Sequence, residues 1–361
     1  MNRRMPPKLT DVACAAGVSL STASRALSSP GLVHADTLQR VRRAASRLGY
    51  VPHGAARALA SQRTRTIGAV FPPVDNPTFA VGTHALAREL ASAGYTLLLA
   101  SHDYDAEAEF DAVRRLVERG VDGLVLVGIQ HCRGMASFLR HAGIPVEMTW
   151  LYDESGRWHS VGASHRAASA AMAEYLLGLG HREFAVIAGQ VSVNDRARER
   201  LEGVRDMLAG NGVSLAETRV IELPFSFESG RNGLARLLRD SPGFTALVCG
   251  NDLVAIGAMN TARERGIEVP HALSIVGFDD IAMASEVCPA LTTIHLPSAE
   301  IGVRAARRLL ARLEGEWVAR GERLPAPLVV RGTSAPPIVV EPRVRRVASG
   351  RRRAAGSRTS A

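Results

Sequence analysis

Two charged residues in the second half of the chain, Arg200 and Asp279, have side chains that could hold a small polar molecule. Arg200 lies in the helical pattern RERLEGVRDML, and Asp279 follows the apolar run SIVGF. A carboxylate accepts hydrogen bonds from two vicinal hydroxyl groups, and a guanidinium can pair with two hydroxyls or with a carboxylate. These residue types therefore suit a polyhydroxylated or carboxylated ligand. The alternative is a structural salt bridge between the two side chains near the strand ends.

A second set of residues with recognisable chemistry lies within LTDVACAAGVSLSTASRAL, residues 9–27. Apolar residues recur there with helical spacing until Gly17 interrupts the pattern, and Ser19 can cap a second helix. The exposed side of that helix carries Leu20, Ser21, Thr22, Ser24 and Arg25. An arginine on such a face can read guanine in the major groove. With a third helix over about 35–48, the pattern indicates a helix-turn-helix; a generic helical hairpin is the alternative.

The charge distribution favours a nucleic-acid partner for the N-terminal segment. Residues 1–65 carry ten Arg and one Lys against two Asp, a net charge of +9. The last 24 residues carry seven Arg against one Glu, and the middle of the chain carries 26 basic against 32 acidic residues. Basic side chains placed on phosphates release condensed counterions, which favours binding to DNA. A solvated charged face would have the same composition.

Composition and motifs exclude several classes of protein. At 361 residues and 46% hydrophobic composition, the chain is long enough for two or three domains. Its four cysteines show no metal-ligand spacing, so we expect reduced core thiols, no metal and no cofactor. An apolar signal segment and a membrane-length apolar run are both missing, which predicts a cytoplasmic protein without membrane contact. Dinucleotide, P-loop and catalytic-triad motifs are also missing, so we predict that it is not an enzyme.

From residue 66 onward, short apolar runs alternate with helical stretches, which is typical of parallel sheets covered by helices. The runs are IGAVF, YTLLLA, DGLVLVG, FAVIAG, TALVCG and SIVGF. The series occurs twice, and LTTIHL (291–296) with residues 327–333 is expected to return the chain across the first half. The predicted fold is a small all-α helix-turn-helix headpiece and an α/β body of two doubly wound parallel-sheet lobes. Ligands of such folds bind at the carboxyl ends of the strands.

The segments LTDVACAAGVSLSTASRAL and LGYVPHGAARALAS resemble the lactose-repressor (LacI/GalR) family of bacterial transcriptional regulators. Body segments such as GHREFAVIAG, NDLVAIGAM and LSIVGFDDI extend the resemblance to about residue 336. The resemblance implies a periplasmic-binding-protein-like body and three regions: a DNA-binding headpiece (1–52), a hinge helix and linker (53–65) and an effector-binding and dimerisation domain (66–337). Within the domain it implies a first lobe over about 66–162 and 291–325 and a second over about 163–290 and 326–337. The Arg-, Ser-, Gly- and Ala-rich composition of residues 338–361 predicts a basic disordered tail.

The same resemblance implies which residues contact DNA. Leu20, Ser21 and Arg25 match base-reading positions. Phosphate-contacting positions match Thr10, Ser19, Thr22, Ser24 and Thr37. His34 and His53 also fall at backbone-contacting positions, where the family usually has a small polar residue and asparagine. In the hinge, Leu59 matches a leucine that wedges into the minor groove, and Ala56 and Ala60 are small enough for two hinge helices to pack closely.

For the effector, the resemblance implies contacts from Arg200, Asp279 and Asn251, with Phe225 stacking on the ligand. Asn76 and Phe79 lie on the loop after the first strand. Trp150 stands where the lactose repressor has a sugar-binding aspartate, so a plain galactoside is not expected. The segments YDAEAEFDAVRRLVERGVDGLVLVG and IPVEMTW are most similar to the gluconate-repressor branch. An aldonic acid such as gluconate is therefore the first hypothesis for the effector.

The resulting hypothesis is a repressor that binds a pseudo-palindromic operator as a homodimer, with effector binding linked to operator affinity. Two alternatives remain open at this point. One is an activator or dual regulator that responds to another carbohydrate, and the other is a solute-binding protein with the same body fold. The basic tail could add nonspecific DNA affinity or be a solvated terminus. The sequence does not distinguish an inducer from a corepressor.

Overall fold

The computed structural model describes residues 7–28, 30–51, 63–73 and 76–338. Its first part contains three helices, α1 (Leu9–Ala16), α2 (Leu20–Ser28) and α3 (Ala35–Leu48). Helix α1 ends because Gly17 adopts a φ of 63°, the left-handed conformation that glycine reaches at no steric cost. The backbone N–H of Val18 then donates to the carbonyl of Ala13 at 3.1 Å. The predicted helix-turn-helix and third helix are thus present.

The headpiece has its own small hydrophobic core. Alanine and valine side chains from all three helices pack together, which lets the short helices approach closely. The buried members are Val12, Ala13, Ala16, Ala23, Ala26, Val41, Ala44 and Ala45. Partly buried residues surround them: Leu9, Val18, Leu27, Val33, Leu38 and Tyr50. The polar side of α2 does not take part in this core.

The first lobe is built on a six-stranded parallel sheet with the order β11-β5-β4-β3-β1-β2. Its strands are β1 (Thr66–Phe71), β2 (Thr96–Ser101), β3 (Gly123–Val127), β4 (Val146–Leu151), β5 (Ser160–Ala163) and β11 (Gly321–Arg323). Its helices are α4 (Pro77–Ser92), α5 (Ala106–Glu118), α6 (Met135–Ala142) and α12 (Ser298–Leu313). Strand β3 is buried along its whole length, as expected of a central strand covered on both faces.

The second lobe is built on a four-stranded parallel sheet with the order β7-β6-β8-β9. Its strands are β6 (Phe184–Ala188), β7 (Val220–Glu222), β8 (Ala246–Cys249) and β9 (Ser274–Val276). Its helices are α7 (His165–Gly178), α8 (Asp195–Gly210), α9 (Phe227–Asp240), α10 (Asp252–Glu264) and α11 (Met283–Glu286). The fold class predicted from the sequence, a headpiece followed by two doubly wound lobes, is confirmed.

The stretch LTTIHL lies elsewhere than the sequence pattern predicted. Strand β10 (Thr293–Ile294) pairs antiparallel with β12 (Leu328–Val329). Thr292 and His295 also bridge in parallel to Val276 and Asp279, so this stretch extends the second sheet beyond β9. The chain reaches the first lobe only afterwards, through α12 and β11. The ladder hydrogen bonds to β9 outweigh the apolar pattern that had suggested a return strand.

The expectation of core thiols holds for one cysteine only. All four cysteines are free, but Cys14 and Cys288 are exposed and Cys132 is half-buried, whereas Cys249 is buried. No helix in the described part of the chain is long and apolar enough to cross a membrane. The predicted hinge residues His53, Ala56 and Leu59, and the tail from residue 339 onward, lie outside the described residues.

Candidate effector cleft and DNA-contacting surface

A cavity of about 300 Å³ lies between the two lobes, where loops follow the carboxyl ends of β1, β2, β6 and β7. Most of its lining is polar or aromatic and comes from both lobes. The lining residues are Pro73, Asn76, Asp103, Tyr104, Gly189, Gln190, Asn194, Leu223, Pro224 and Phe225. This volume is at the small end of the range for small-molecule sites. The cavity therefore suits a ligand of monosaccharide size.

Arg200, on α8, is buried and all three of its guanidinium nitrogens are hydrogen-bonded. Its Nε donates to Nδ1 of His165 at 3.0 Å, and its Nη1 donates to the carbonyl of Gly250. Its Nη2 donates to Oδ1 of Asp279 at 3.1 Å, which forms a buried ion pair. The structural salt bridge that the sequence left open as an alternative is therefore present.

Aromatic rings enclose this arginine. The guanidinium carbon lies 3.7 Å from the ring centroid of Phe278 and 5.9 Å from that of Phe225. His165 stacks on Phe278 with ring centroids 5.2 Å apart. Burial and the charge of Arg200 hold the pKa of His165 well below its usual range, so the imidazole is neutral. Nδ1 must then accept from Arg200 while Nε2–H donates to the carbonyl of Trp150 at 2.9 Å.

The carboxyl groups of Asp279 and of the nearby Asp252 have raised pKa values because they are buried. Burial raises the pKa of Asp279 to about 6, against the opposing effect of Arg200. Burial and the neighbouring charge of Asp279 raise the pKa of Asp252 to about 8. Asp252 accepts hydrogen bonds from Thr293 Oγ1 at 2.5 Å and from the backbone of Ile281 at 2.9 Å. Asp279 also has a φ of 115°, a strained conformation for a residue other than glycine.

The structure places the predicted effector residues in three different settings. Asn76 and Phe225 line the cavity, whereas Arg200 and Asp279 pair with each other next to Phe225 but outside the lining. Asn251 is fully buried at the start of α10, where its Oδ1 accepts from the backbone of Val254. Phe79 and Trp150 pack edge-to-face against each other and against Phe71 in the first-lobe core, and neither lines the cavity.

Two buried hydrogen-bond donors at predicted effector positions have no partner among the described residues. They are Nδ2 of Asn251 and the indole Nε1 of Trp150. The orientation of the Asn251 amide is fixed, because its other atom already accepts from a backbone N–H. Leaving a buried donor unpaired costs about 1–3 kcal/mol. A ligand that carries acceptor oxygens would remove this cost.

Several cavity residues were not predicted from the sequence. Tyr104, Gln190 and Asn194 line the cavity alongside Asn76 and Phe225. Each follows the carboxyl end of a strand, β2 for Tyr104 and β6 for the other two. That position was the signal that could have identified them, because ligands of doubly wound folds bind there.

The two lobes are joined at the cleft by a group of hydrogen bonds that we call the lobe latch. Oδ2 of Asp195, at the start of α8, accepts from the backbone N–H groups of Ile129 and Gln130 at 2.6 and 3.0 Å. Arg198 donates to Oε1 of Gln130 at 2.6 Å, and Gln130 donates to the carbonyl of Ser192 at 3.2 Å. Residues 129–130 follow β3 of the first lobe, so these hydrogen bonds join the first lobe to the second.

On the headpiece, Ser19 organises the start of α2. Its Oγ accepts from the backbone N–H of Thr22 at 3.1 Å, as predicted for an N-cap. It also lies 2.9 Å from the hydroxyl of Ser21 and 2.8 Å from that of Thr22. Leu20 is 49% exposed despite its apolar side chain, and Arg25 is exposed five residues further on. An exposed apolar side chain and an exposed arginine on one short helix suit a DNA groove.

The remaining predicted DNA contacts surround this helix. Thr10 and Ser24 are exposed, and Thr37 is half-buried on α3, where its hydroxyl accepts from Arg40 at 3.5 Å. His34 is exposed before α3, with its Nδ1 at 3.8 Å from the carboxylate of Asp36. The exposed hydroxyl groups of Thr10 and Ser24 are therefore accessible to phosphate oxygens.

Two family models match the chain, one for each part of the architecture. Residues 8–53 match bacterial regulatory proteins of the lacI family, and residues 173–334 match a periplasmic binding protein-like domain. The first match covers the helix-turn-helix and enters the hinge. The second covers most of the second lobe and the return into the first.

Full-length relatives show the same arrangement. An HTH-type transcriptional regulator in the aml 5'region of Streptomyces limosus is 36% identical over 91% of this chain and 95% of its own. The HTH-type transcriptional regulator GntR of Pseudomonas aeruginosa is 33% identical over 86% of this chain and 91% of its own. The crystal structure of the lac repressor dimer bound to operator and the anti-inducer ONPF superposes with a TM-score of 0.83 at 29% identity, over 92% of this chain and all of that one.

Proposed function

Because the chain belongs to the lacI family of bacterial regulatory proteins and is a DNA-binding transcriptional regulator, we propose that it represses transcription from a pseudo-palindromic operator as an effector-controlled homodimer. We propose an aldonic acid such as gluconate as the effector. The observation that carries this proposal is the ligand-sized cleft between the lobes, where the lining residue Phe225 lies next to the buried guanidinium of Arg200.

The exposed face of α2 supports the DNA-reading role. Arg25 can make paired hydrogen bonds to a guanine, and Leu20 can contact a thymine methyl group or an adjacent base edge. The hydroxyls around Ser19 can position the helix on the phosphate backbone without reading sequence. In this proposal Leu59 wedges into the minor groove between the two half-sites.

The chemistry beside the cleft favours a ligand rich in acceptor oxygens. Arg200 and Asn251 offer a buried cation and an unpaired N–H group, and the Asp279 carboxylate can accept hydrogen bonds from ligand hydroxyls. A carboxylate next to hydroxyl groups supplies both kinds of partner. We propose that such a ligand inserts between Arg200 and Asp279, so that ligand oxygens replace part of the ion pair.

A hydrophobic groove supports the dimer. It encloses about 400 Å³ beside α10 and is lined by Ile256, Met259, Asn260, Arg263, Ile267, Val269, Val287, Cys288 and Pro289. Met283, on the neighbouring α11, is 46% exposed. Apolar surface of this kind marks interaction sites. A second copy of the chain is the proposed occupant, and the lac repressor relative is itself a dimer on its operator.

The end of the linker is attached to the first lobe, which provides the link between the two sites. Arg63 donates to Glu314, which follows α12, at 2.8 Å. The backbone N–H groups of Thr64 and Arg65 donate to the carboxylate of Asp122 at 2.9 and 2.8 Å. A movement of the first lobe therefore also moves the end of the linker. If the effector prefers one lobe arrangement, operator affinity changes by that same preference.

Selection of bound sequences from random DNA, with and without gluconate, tests the operator and the effector together. We expect two inverted half-sites and a change in recovery when gluconate is present; a single asymmetric site would contradict the dimer. Calorimetric titration with gluconate, other aldonates and neutral sugars tests the ligand class, and no heat with any aldonate would overturn the acid effector. In a strain that lacks the regulator, expression of a reporter under the operator should rise. A fall in expression would mean that the protein is an activator.

A further inference from the structure

A second chamber of about 200 Å³ adjoins the effector cleft on the other side of Tyr104, which lines both. It is bounded by loops after β2, β3 and β6 and by the first turn of α5. The lining residues are His102, Tyr104, Ala106, Glu109, Val127, Gln130, His131, Cys132, Ser192, Val193, Asp195 and Arg196. We call it the histidine chamber.

Three titratable side chains in the histidine chamber are almost fully buried. The side chains of His102, Glu109 and His131 are 8%, 4% and 3% exposed. Nδ1 of His131 lies 3.1 Å from both carboxylate oxygens of Glu109, whereas Nε2 of His102 is 3.9 Å away, too far for a hydrogen bond. Both ring nitrogens of His102 and Nε2 of His131 have no partner among the described residues.

These unpaired nitrogens define the hydrogen-bonding character of the chamber. Burial lowers the pKa of His102, so its neutral ring offers one donor and one acceptor. Nδ1 of His131 is occupied by the Glu109 carboxyl group, and Nε2 of the same ring is left for a ligand. A hydroxyl group both donates and accepts, and it can satisfy these positions. Each buried polar group left without a partner costs about 1–3 kcal/mol.

Charge argues against an anionic group in the same place. The carboxylate of Glu109 faces the chamber, and Arg196 is already paired with Asp195 at 2.7 Å. No group of three or more His, Cys, Asp or Glu side chains among the described residues could hold a metal ion. The chamber therefore favours neutral hydroxyls over a carboxylate, a phosphate or a metal.

We propose that the histidine chamber is a second subsite of the effector cleft and that it binds the hydroxyl-bearing end of the effector. This assignment rests on the proposed effector role of the cleft. The acidic end of the ligand then lies toward Arg200 and Asn251, and its polyol end lies between His102 and His131. The chamber selects effectors by the length of their hydroxylated chain.

His102 is suited to a test by substitution because its ring nitrogens have no hydrogen-bond partner among the described residues. Its replacement by leucine should leave the thermal midpoint unchanged or higher, since an unsatisfied buried imidazole is removed. His102→Gln restores a donor and an acceptor and separates hydrogen bonding from shape. His84→Leu, at an exposed position on α4, is the matched control. Three probes are titrated by calorimetry: gluconate, the shorter acid glycerate, and sorbitol, which has the polyol chain without the acid.

We expect His102→Leu to weaken the affinity for gluconate about 10-fold or more and to leave the affinity for glycerate unchanged. His102→Gln should restore the gluconate affinity, and His84→Leu should bind gluconate as tightly as the wild type does. Imidazole ¹⁵N shifts of His102 and His131 should move with gluconate or sorbitol. Equal gluconate affinity in His102→Leu and wild type overturns the subsite but not the proposed function. If sorbitol changes the imidazole ¹⁵N shifts while gluconate does not bind, the proposal of an acidic effector is overturned and the subsite is supported. If neither histidine responds to any probe, the subsite is wrong.

Discussion

Replacing Asp279 by asparagine should change how stability depends on pH, because this carboxyl holds its proton more tightly in the folded chain than in the unfolded one. Burial raises its pKa from 3.8 to about 6. Between these values the folded state binds more protons than the unfolded state, so stability falls as pH rises through the window and stays lower above pH 6. The displacement corresponds to about 3 kcal/mol of unfolding free energy.

Asparagine cannot ionise, so the variant should not show this loss. The unfolding free energy of Asp279→Asn minus that of the wild type should therefore increase by about 3 kcal/mol between about pH 4 and pH 7, whatever its value at pH 4. Asp252 acts in the same direction. The charge of Asp279 helps to raise its pKa to about 8, and removing that charge relieves part of the penalty.

Urea unfolding of both proteins across this pH range measures the difference directly. Phe225→Leu is the control, because it alters the same cleft without removing a titratable group. A difference that stays constant or decreases as pH rises would refute the reasoning. Effector binding should titrate in parallel: hydroxyls donate to the ionised carboxylate, so affinity should weaken as pH falls below about 6.

Three further substitutions test the DNA-reading face and the packing of the second lobe. Arg25→Ala should weaken binding to operator DNA by about 1–3 kcal/mol, as measured by fluorescence anisotropy, and should weaken binding to nonspecific DNA much less. Equal losses of affinity for the two DNAs would contradict base reading by Arg25. Ser19→Ala should lower headpiece stability by about 1 kcal/mol in thermal denaturation, and no change would contradict the cap. A Cβ at Gly230 would lie 2.0 Å from the carbonyl oxygen of Val254, so Gly230→Ala should destabilise the second lobe by about 1–3 kcal/mol. Gly178→Ala, with nothing within 4 Å, is its control.

The strands that could be predicted from sequence are those whose burial appears directly as an apolar run. GLVLV and FAVIA, which became β3 and β6, are examples. Strand β4 was not predicted as a strand, although all six of its residues are buried, because Glu147 and Thr149 interrupt its pattern. Arg308 and Arg312, on α12, pair with Glu147 at 2.6 and 3.4 Å. A compensating charge so distant in sequence leaves no local signal.

The candidate site divides in the same way. Arg200 and Asp279 could be identified because each stands at a family-matching position near a strand end. That they neutralise each other could not be predicted, since 79 residues separate them and only the fold brings them together. His102, Glu109 and His131 share no periodic spacing, and they come from three consecutive structural segments that meet only at the sheet edge. Sequence motifs therefore located the cleft but not its second chamber.

The lobe latch has a consequence for the time course of regulation. Asp195 and Arg198 hold residues 129–130 of the first lobe against the second lobe, so we expect the lobes to separate, and an effector to enter between them, at the rate at which these hydrogen bonds break. In stopped-flow mixing, the observed rate should level off at high effector concentration, at the rate of latch opening. Gln130→Ala, which removes two of the side-chain bonds, should raise that plateau. The speed with which the regulator responds to its signal would then be set by the protein rather than by diffusion.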